Sequence, residues 1–161
     1  MGSTDRLVSD VAMKKGNRIE ALARELAAGD GDEIYFRGYF LLFNRQDYYQ
    51  AHDLLEHIWL QTDGPEAAFY KGLIQLAGAF VHLQKQFLRP FHPTDGRRLN
   101  PAWRLFKLAR KNLKDYTPEY LGLRVDEIVG LCDAEIAALE YAHFKTNPWN
   151  PSNAPKLAAP G

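Results

Sequence analysis

The sequence predicts an all-α fold: a compact single-domain bundle of five to seven helices with no β-sheet. Apolar residues recur at helical spacing along most of the chain. Gly, Pro, Asn and Asp clusters interrupt that periodicity at intervals suited to helices of ordinary length. No stretch alternates apolar and polar residues as a half-buried strand does.

Residues 1–16 are polar and read as a flexible N-terminal segment. Asn17 suits the cap of a helix over residues 18–28, where Ile19, Leu22, Ala23 and Leu26 share a face and Gly29-Asp30-Gly31 stops it. A second helix begins at Asp32 and runs to about Phe43. Its aromatics, Tyr35, Phe36, Tyr39, Phe40 and Phe43, lie on more than one side and imply deep burial. Asn44 is placed to end it. A third helix covers residues 47–61, and Thr62-Asp63-Gly64-Pro65 breaks the chain. Pro65 opens a fourth helix that reaches about Gln86.

Residues 87–101 carry Pro90, Pro93, Gly96 and Pro101, so they read as a loop, locally basic through Arg89, Arg97 and Arg98. A helix then follows to about Tyr116, and a last one spans residues 125–143. Residues 146–161 are proline-rich and read as an extended or disordered tail that Trp149 pins at its start. The bundle proper is thus assigned to residues 17–145.

Composition narrows the function classes. Hydrophobic residues are 46% and aromatics 12%, enough for a packed core. Lys plus Arg and Asp plus Glu are equal at 20 each, so bulk charge gives no reason to expect nucleic acid. The basic residues Arg104, Lys107, Arg110, Lys111 and Lys114 read as a solvated helix face. Cys132, the one cysteine, lies in an apolar helical stretch and reads as a small buried residue. No apolar run approaches a membrane span and no signal peptide is evident, so the expectation is a cytoplasmic protein with no membrane partner.

Polar residues on otherwise apolar faces are the main functional signal. Tyr49, His52, Glu56 and Trp59 follow i, i+3, i+7, i+10 beside a core stripe of Ala51, Leu55 and Ile58. On the next helix Gly72, Gln75, Ala79 and His82 repeat that spacing. An antiparallel pairing across the short turn lets the two stripes face each other. His52, Asp53, Glu56, Gln75 and His82 then form a partly buried polar site, lined by Tyr49, Trp59, Gly72 and Ala79.

Three readings stay open. The polar residues are a hydrogen-bonded network that fixes packing, in a structural or homo-oligomeric module joined through the aromatic second helix. They bind a small organic ligand, with Gln75 orienting it and no catalysis required. Or they serve an acid–base or metal-dependent hydrolase, with His52, Glu56 and His82 on zinc, iron or manganese.

The motifs Leu42-Phe43-Asn44, Tyr48-Tyr49-Gln50-Ala51-His52-Asp53-Leu54-Leu55-Glu56-His57-Ile58-Trp59 and Gly72-Leu73-Ile74-Gln75, with the later His82, resemble the bacterial and archaeal family named domain of unknown function 309. The resemblance covers about residues 35–86 and implies a small helical bundle, without an activity. It implies shared positions at His52, Glu56, Trp59, Gly72, Gln75 and His82. The chain departs at Asp53, where the family usually has Glu, and in its longer proline-rich segment over residues 85–101.

Overall fold

The computed structural model describes residues 3–161, and of residues 3–13 the backbone alone. Six α-helices follow one another: α1 (Ser3–Leu26), α2 (Asp32–Asn44), α3 (Tyr48–Trp59), α4 (Glu66–Leu88), α5 (Leu99–Leu113) and α6 (Val125–Tyr141). A 3-10 turn, Lys114–Tyr116, continues α5. Among the described residues there is no strand, only an isolated bridge between Tyr120 and Leu123. No helix is long and apolar enough to cross a membrane.

α1 starts well before the expected residue 18. Of the segment read as flexible, residues 1–2 lie outside the described residues and 3–16 are helical. Asn17 is therefore interior to a helix, not its cap. Apolar periodicity begins only at Ile19, so the polar turns before it gave no sequence signal. The remaining boundaries fall within a few residues of expectation, which is the ordinary scatter of helix ends. Pro65 takes the N-cap of α4, and Pro101 sits in the first turn of α5, where a missing N–H costs nothing.

α4 holds the centre. It packs against α3 on one side and α5 on the other, with α2 against α3 and α6 against α5. The core is aromatic where these helices meet. Phe43 lies edge-on to Tyr48 and Phe80, with centroids at 5.0 and 5.3 Å, and Phe80 meets Phe106 of α5 at 5.2 Å. Such pairs contribute about 0.5–1.5 kcal/mol each beyond area burial. Tyr39 is wholly buried, and its hydroxyl donates to the Leu73 carbonyl at 2.7 Å, giving the phenol a partner inside the core. The aromatic face of α2 is thus spent internally: Tyr35 and Phe36 are buried, as are Tyr39, Phe40 and Phe43.

The last residues run without helix and lie along the body. Trp149 is 3% exposed, and its indole N–H donates to the Tyr48 hydroxyl at 3.0 Å. Asn44 clasps the tail twice: its Nδ2 donates to the Leu157 carbonyl at 2.9 Å and its Oδ1 accepts the Leu157 N–H at 2.7 Å. Asn147 Nδ2 donates to the Leu83 carbonyl at the α4 end. Asn44 therefore holds the tail as well as ending α2, a role that local sequence does not suggest.

Two interior features carry consequences for stability. A Cβ built on Gly72 would stand 2.6 Å from Leu113 Cγ, so the glycine is what lets α4 and α5 approach. On α6, one carboxylate oxygen of Glu135 is buried with no hydrogen-bond partner. Burial raises its pKa from 4.5 to about 7. The Tyr48 phenol and Cys132 thiol share its surroundings, and both are themselves raised by burial, Cys132 to about 12, so neither ionises near neutrality. Cys132 is buried and unreactive, in keeping with its apolar setting.

Gly72→Ala is expected to destabilise the fold by roughly 1–3 kcal/mol, because overpacking against Leu113 outweighs the gain in helix propensity. Gly130→Ala on α6, where an added methyl meets nothing within 4 Å, is expected to stabilise by roughly 0.5–1 kcal/mol. Urea midpoints of the two variants check both signs. For Glu135, the folded pKa lies above the unfolded one. Its favourable contribution is complete below about pH 4.5 and is lost as pH rises through about 7. Glu135→Gln is therefore expected to stabilise by roughly 1–3 kcal/mol at pH 8 and to change little at pH 5, read as unfolding free energy at both values.

Candidate functional site

The polar stripes do not form one cluster. α3 turns Tyr48, Ala51, Leu54, Leu55 and Ile58 to the core, which leaves Tyr49, His52 and Glu56 on its outer flank. The stripe on α4 turns to α5 instead: Gly72 abuts Leu113, and Gln75 Oε1 accepts from Asn112 Nδ2 at 2.7 Å. Ala79 is fully buried. His82 Nδ1 accepts from Arg98 Nη1 at 3.0 Å. Among the described residues no hydrogen bond or ion pair joins His52, Asp53 or Glu56 to Gln75 or His82. An i, i+3, i+7 spacing fixes which residues share a face but leaves open which neighbour that face meets.

On α3, the His52 ring lies between two carboxylates. Nδ1 is 3.3 Å from Asp53 Oδ1, and Nε2 is 3.5 Å from Glu56 Oε2. Carboxylates only accept, so Nδ1–H donates to Asp53, and the Glu56 contact becomes an ion pair when Nε2 is also protonated. Tyr49 stacks on the ring with centroids 6.1 Å apart and is itself 60% exposed. The Lys71 ammonium lies 5.9 Å from the Trp59 ring centroid, a cation–π contact that ties the stripe's far end to α4. His57 belongs elsewhere: it stacks on Tyr35 at 4.9 Å.

Asp53 also lines an open groove of about 270 Å³ between α1 and α3. Lys15 and Arg18 supply cations there, Gln50 a side-chain amide, and Ile19, Leu22 and Leu54 the apolar surface. The groove escaped sequence reading because its α1 wall lies in and beside the segment read as flexible. Its one legible sign was Asp53, which the spacing placed next to His52.

The second cluster is built around the loop between α4 and α5. Arg98 cannot accept a hydrogen bond, so His82 is a neutral ring with its proton on Nε2. Burial lowers the His82 pKa, and the nearby Arg98 and Lys85 cations lower it further. Arg98 is also paired with Asp95, whose carboxyl its hydrogen bonds hold below the usual range. Arg89 joins Asp95 at 3.1 Å. His92 Nδ1 accepts the N–H groups of Thr94 and Asp95 and so closes a turn within the loop. The basic loop thus neutralises much of its own charge.

These placements bear on the metal set of His52, Glu56 and His82. The three are not gathered, because His82 is committed to a guanidinium that repels a cation. Among the described residues no group of three His, Cys, Asp or Glu is arranged to hold a metal ion.

His82 is expected to titrate below its usual value in ¹H–¹⁵N spectra, and to move upward in Arg98→Ala. Its depressed folded pKa means that its contribution to stability is present above about pH 6.5 and is lost as pH falls below it. An unshifted His82 that ignores the Arg98 change would contradict this geometry.

Comparison with known proteins singles out the same part of the chain. No curated protein and no solved structure matches it. A family model described as domain of unknown function (DUF309) matches residues 36–92, from the aromatic helix α2 through α3 and α4 to the start of the loop after α4, and so includes His52, Glu56, Gln75 and His82 but not Asp95 or Arg98. Over that segment the chain resembles a family of helical domains whose function is unknown.

Proposed function

We propose that the protein is a small-molecule-binding bundle, with the groove between α1 and α3 as its site. The observation that carries this is the position of Asp53: the residue lines the groove, and its carboxylate accepts from His52, which faces Glu56 on its other edge. A side chain fixed in this way presents its charge with less ordering left to do on binding.

The groove chemistry suggests the ligand class. Asp53 suits an amine or other hydrogen-bond donor. Lys15 and Arg18 suit an anionic group, and Ile19, Leu22 and Leu54 suit an apolar spacer between them. A small amphipathic zwitterion has all three parts. The groove lies slightly below the usual volume of a ligand pocket, about 300 Å³ and upward, which favours a ligand of few atoms.

Binding is favoured over catalysis by the orientation of His52. Both ring nitrogens are turned to carboxylates, so neither is directed at a substrate proton in the groove. With His82 held by Arg98, the expected metal set keeps only His52 and Glu56, fewer than the three protein ligands of an ordinary catalytic zinc site.

The test is an NMR titration with ε-aminocaproate, alongside n-hexylamine and hexanoate as probes that each lack one charge. The zwitterion is expected to bind best and to shift the methyls of Ile19, Leu22 and Leu54. Asp53→Asn is expected to weaken it roughly tenfold, or about 1.4 kcal/mol, and His52→Ala to weaken it less. Shifts confined to other surfaces, or an unchanged affinity in Asp53→Asn, would refute the assignment.

A further inference from the structure

Along α5 the chain departs from its neutral overall charge. No acidic residue occurs in Leu99–Leu113, while Arg104, Lys107, Arg110 and Lys111 fall on successive turns and Lys114 follows in the 3-10 turn. Cations three and four residues apart on a helix repel each other and weaken it. The helix dipole offsets this for the last turn, but not for Arg104 and Lys107.

The fold engages two of these cations, one on an aromatic face and one in an ion pair. Lys107 Nζ lies 4.0 Å from the Trp103 ring centroid, and Arg110 Nη1 is 2.9 Å from Asp133 Oδ1 on α6. Arg104, Lys111 and Lys114 have no ion-pair partner among the described residues. They border an open groove of about 670 Å³ between α5 and α6, with Leu108 and Val129 as its apolar floor. Leu108 is 43% exposed. A solvated helix face would be expected to mix charges of both signs; here an aliphatic strip is edged by cations alone.

The geometry points to a docking surface for an acidic, amphipathic helical segment of a partner protein. Apolar side chains of that segment cover Leu108 and Val129, and its Asp and Glu residues meet Arg104, Lys111 and Lys114. Arg104 and Lys114 are ten positions apart, about 15 Å of helical rise, which matches roughly three turns of a partner helix. Charge complementarity selects an acidic partner. The aliphatic floor selects a peptide over a single-stranded nucleic acid, which needs aromatic rings on which to stack its bases, whereas the Trp103 ring here is covered by Lys107. This surface is separate from the groove between α1 and α3, and either assignment can fail without the other.

Fluorescence anisotropy with a labelled synthetic helix tests it. The peptide carries Leu at i, i+3 and i+7 with Glu on both flanks. Its controls are a peptide of equal charge with Leu replaced by Gln, and a single-stranded RNA of equal charge. The full chain is expected to bind the Leu-bearing peptide saturably at low salt and to lose affinity as salt screens the charges. Lys111→Glu/Lys114→Glu is expected to weaken binding at least tenfold, and Leu108→Ser to weaken it as well. Circular dichroism monitors folding, and the milder Lys111→Gln/Lys114→Gln variant is expected to fall between. Three results would overturn the inference: peptide affinity unchanged in these variants, equal affinity for the Gln control or the RNA, or sedimentation showing that the chain self-associates through Lys111 and Lys114.

Discussion

The packing of α4 between α3 and α5 is the constraint on which the rest of the structure depends. α4 is apolar over most of its circumference, so it can be buried from two sides. Phe69, Leu73, Leu76, Ala77, Phe80 and Leu83 are fully buried. Each large apolar side chain removed from water contributes about 1.5–3 kcal/mol. The α5 side needs close approach, and Gly72 provides it by leaving room for Leu113. Once α4 has α5 on that side, the Gly72, Gln75, Ala79 and His82 stripe is committed to α5 and to the loop before it. The α3 stripe is left on an outer flank, where His52 contacts Asp53 of the neighbouring groove.

The tail reinforces this arrangement from the opposite end of the chain. Trp149 joins Tyr48, and Tyr48 stacks on Phe80, with centroids 5.4 Å apart, so the tail's indole reaches the α3–α4 contact through a single phenol. Asn44 and Asn147 fix the backbone on either side of that contact. The Phe43-Asn44 dipeptide thus serves two purposes: the ring fills the aromatic core, and the amide secures the tail. Glu135 stands against this economy. A buried carboxylate oxygen without a partner is a cost to the fold above neutral pH, and no contact in the structure accounts for keeping it there.

Much of the fold was legible because helical periodicity and chain breakers are local signals. The aromatic α2, the Pro65 start of α4 and the Trp149 anchor could all be read from neighbouring residues. The early start of α1 could not, since a polar helix without an apolar stripe looks like a frayed end. The site was legible in its residues and not in its assembly. Spacing identified two faces, and the pairing of His52 with Glu56 follows from their separation of four. Whether His82 meets His52 or Arg98 depends on how α5 docks, which involves residues 16 positions away. The clasp of Asn44 on Leu157 spans 113 positions and leaves no local trace.

α4 separates two polar clusters that act independently, although His52, Glu56, Gln75 and His82 share one segment of sequence. A double-mutant cycle of His52→Ala and His82→Ala, measured by urea unfolding, tests it most directly. Independent clusters predict that the two destabilisations add to within about 0.5 kcal/mol. A coupling energy above about 1 kcal/mol would mean that the two histidines belong to one network and would contradict the account.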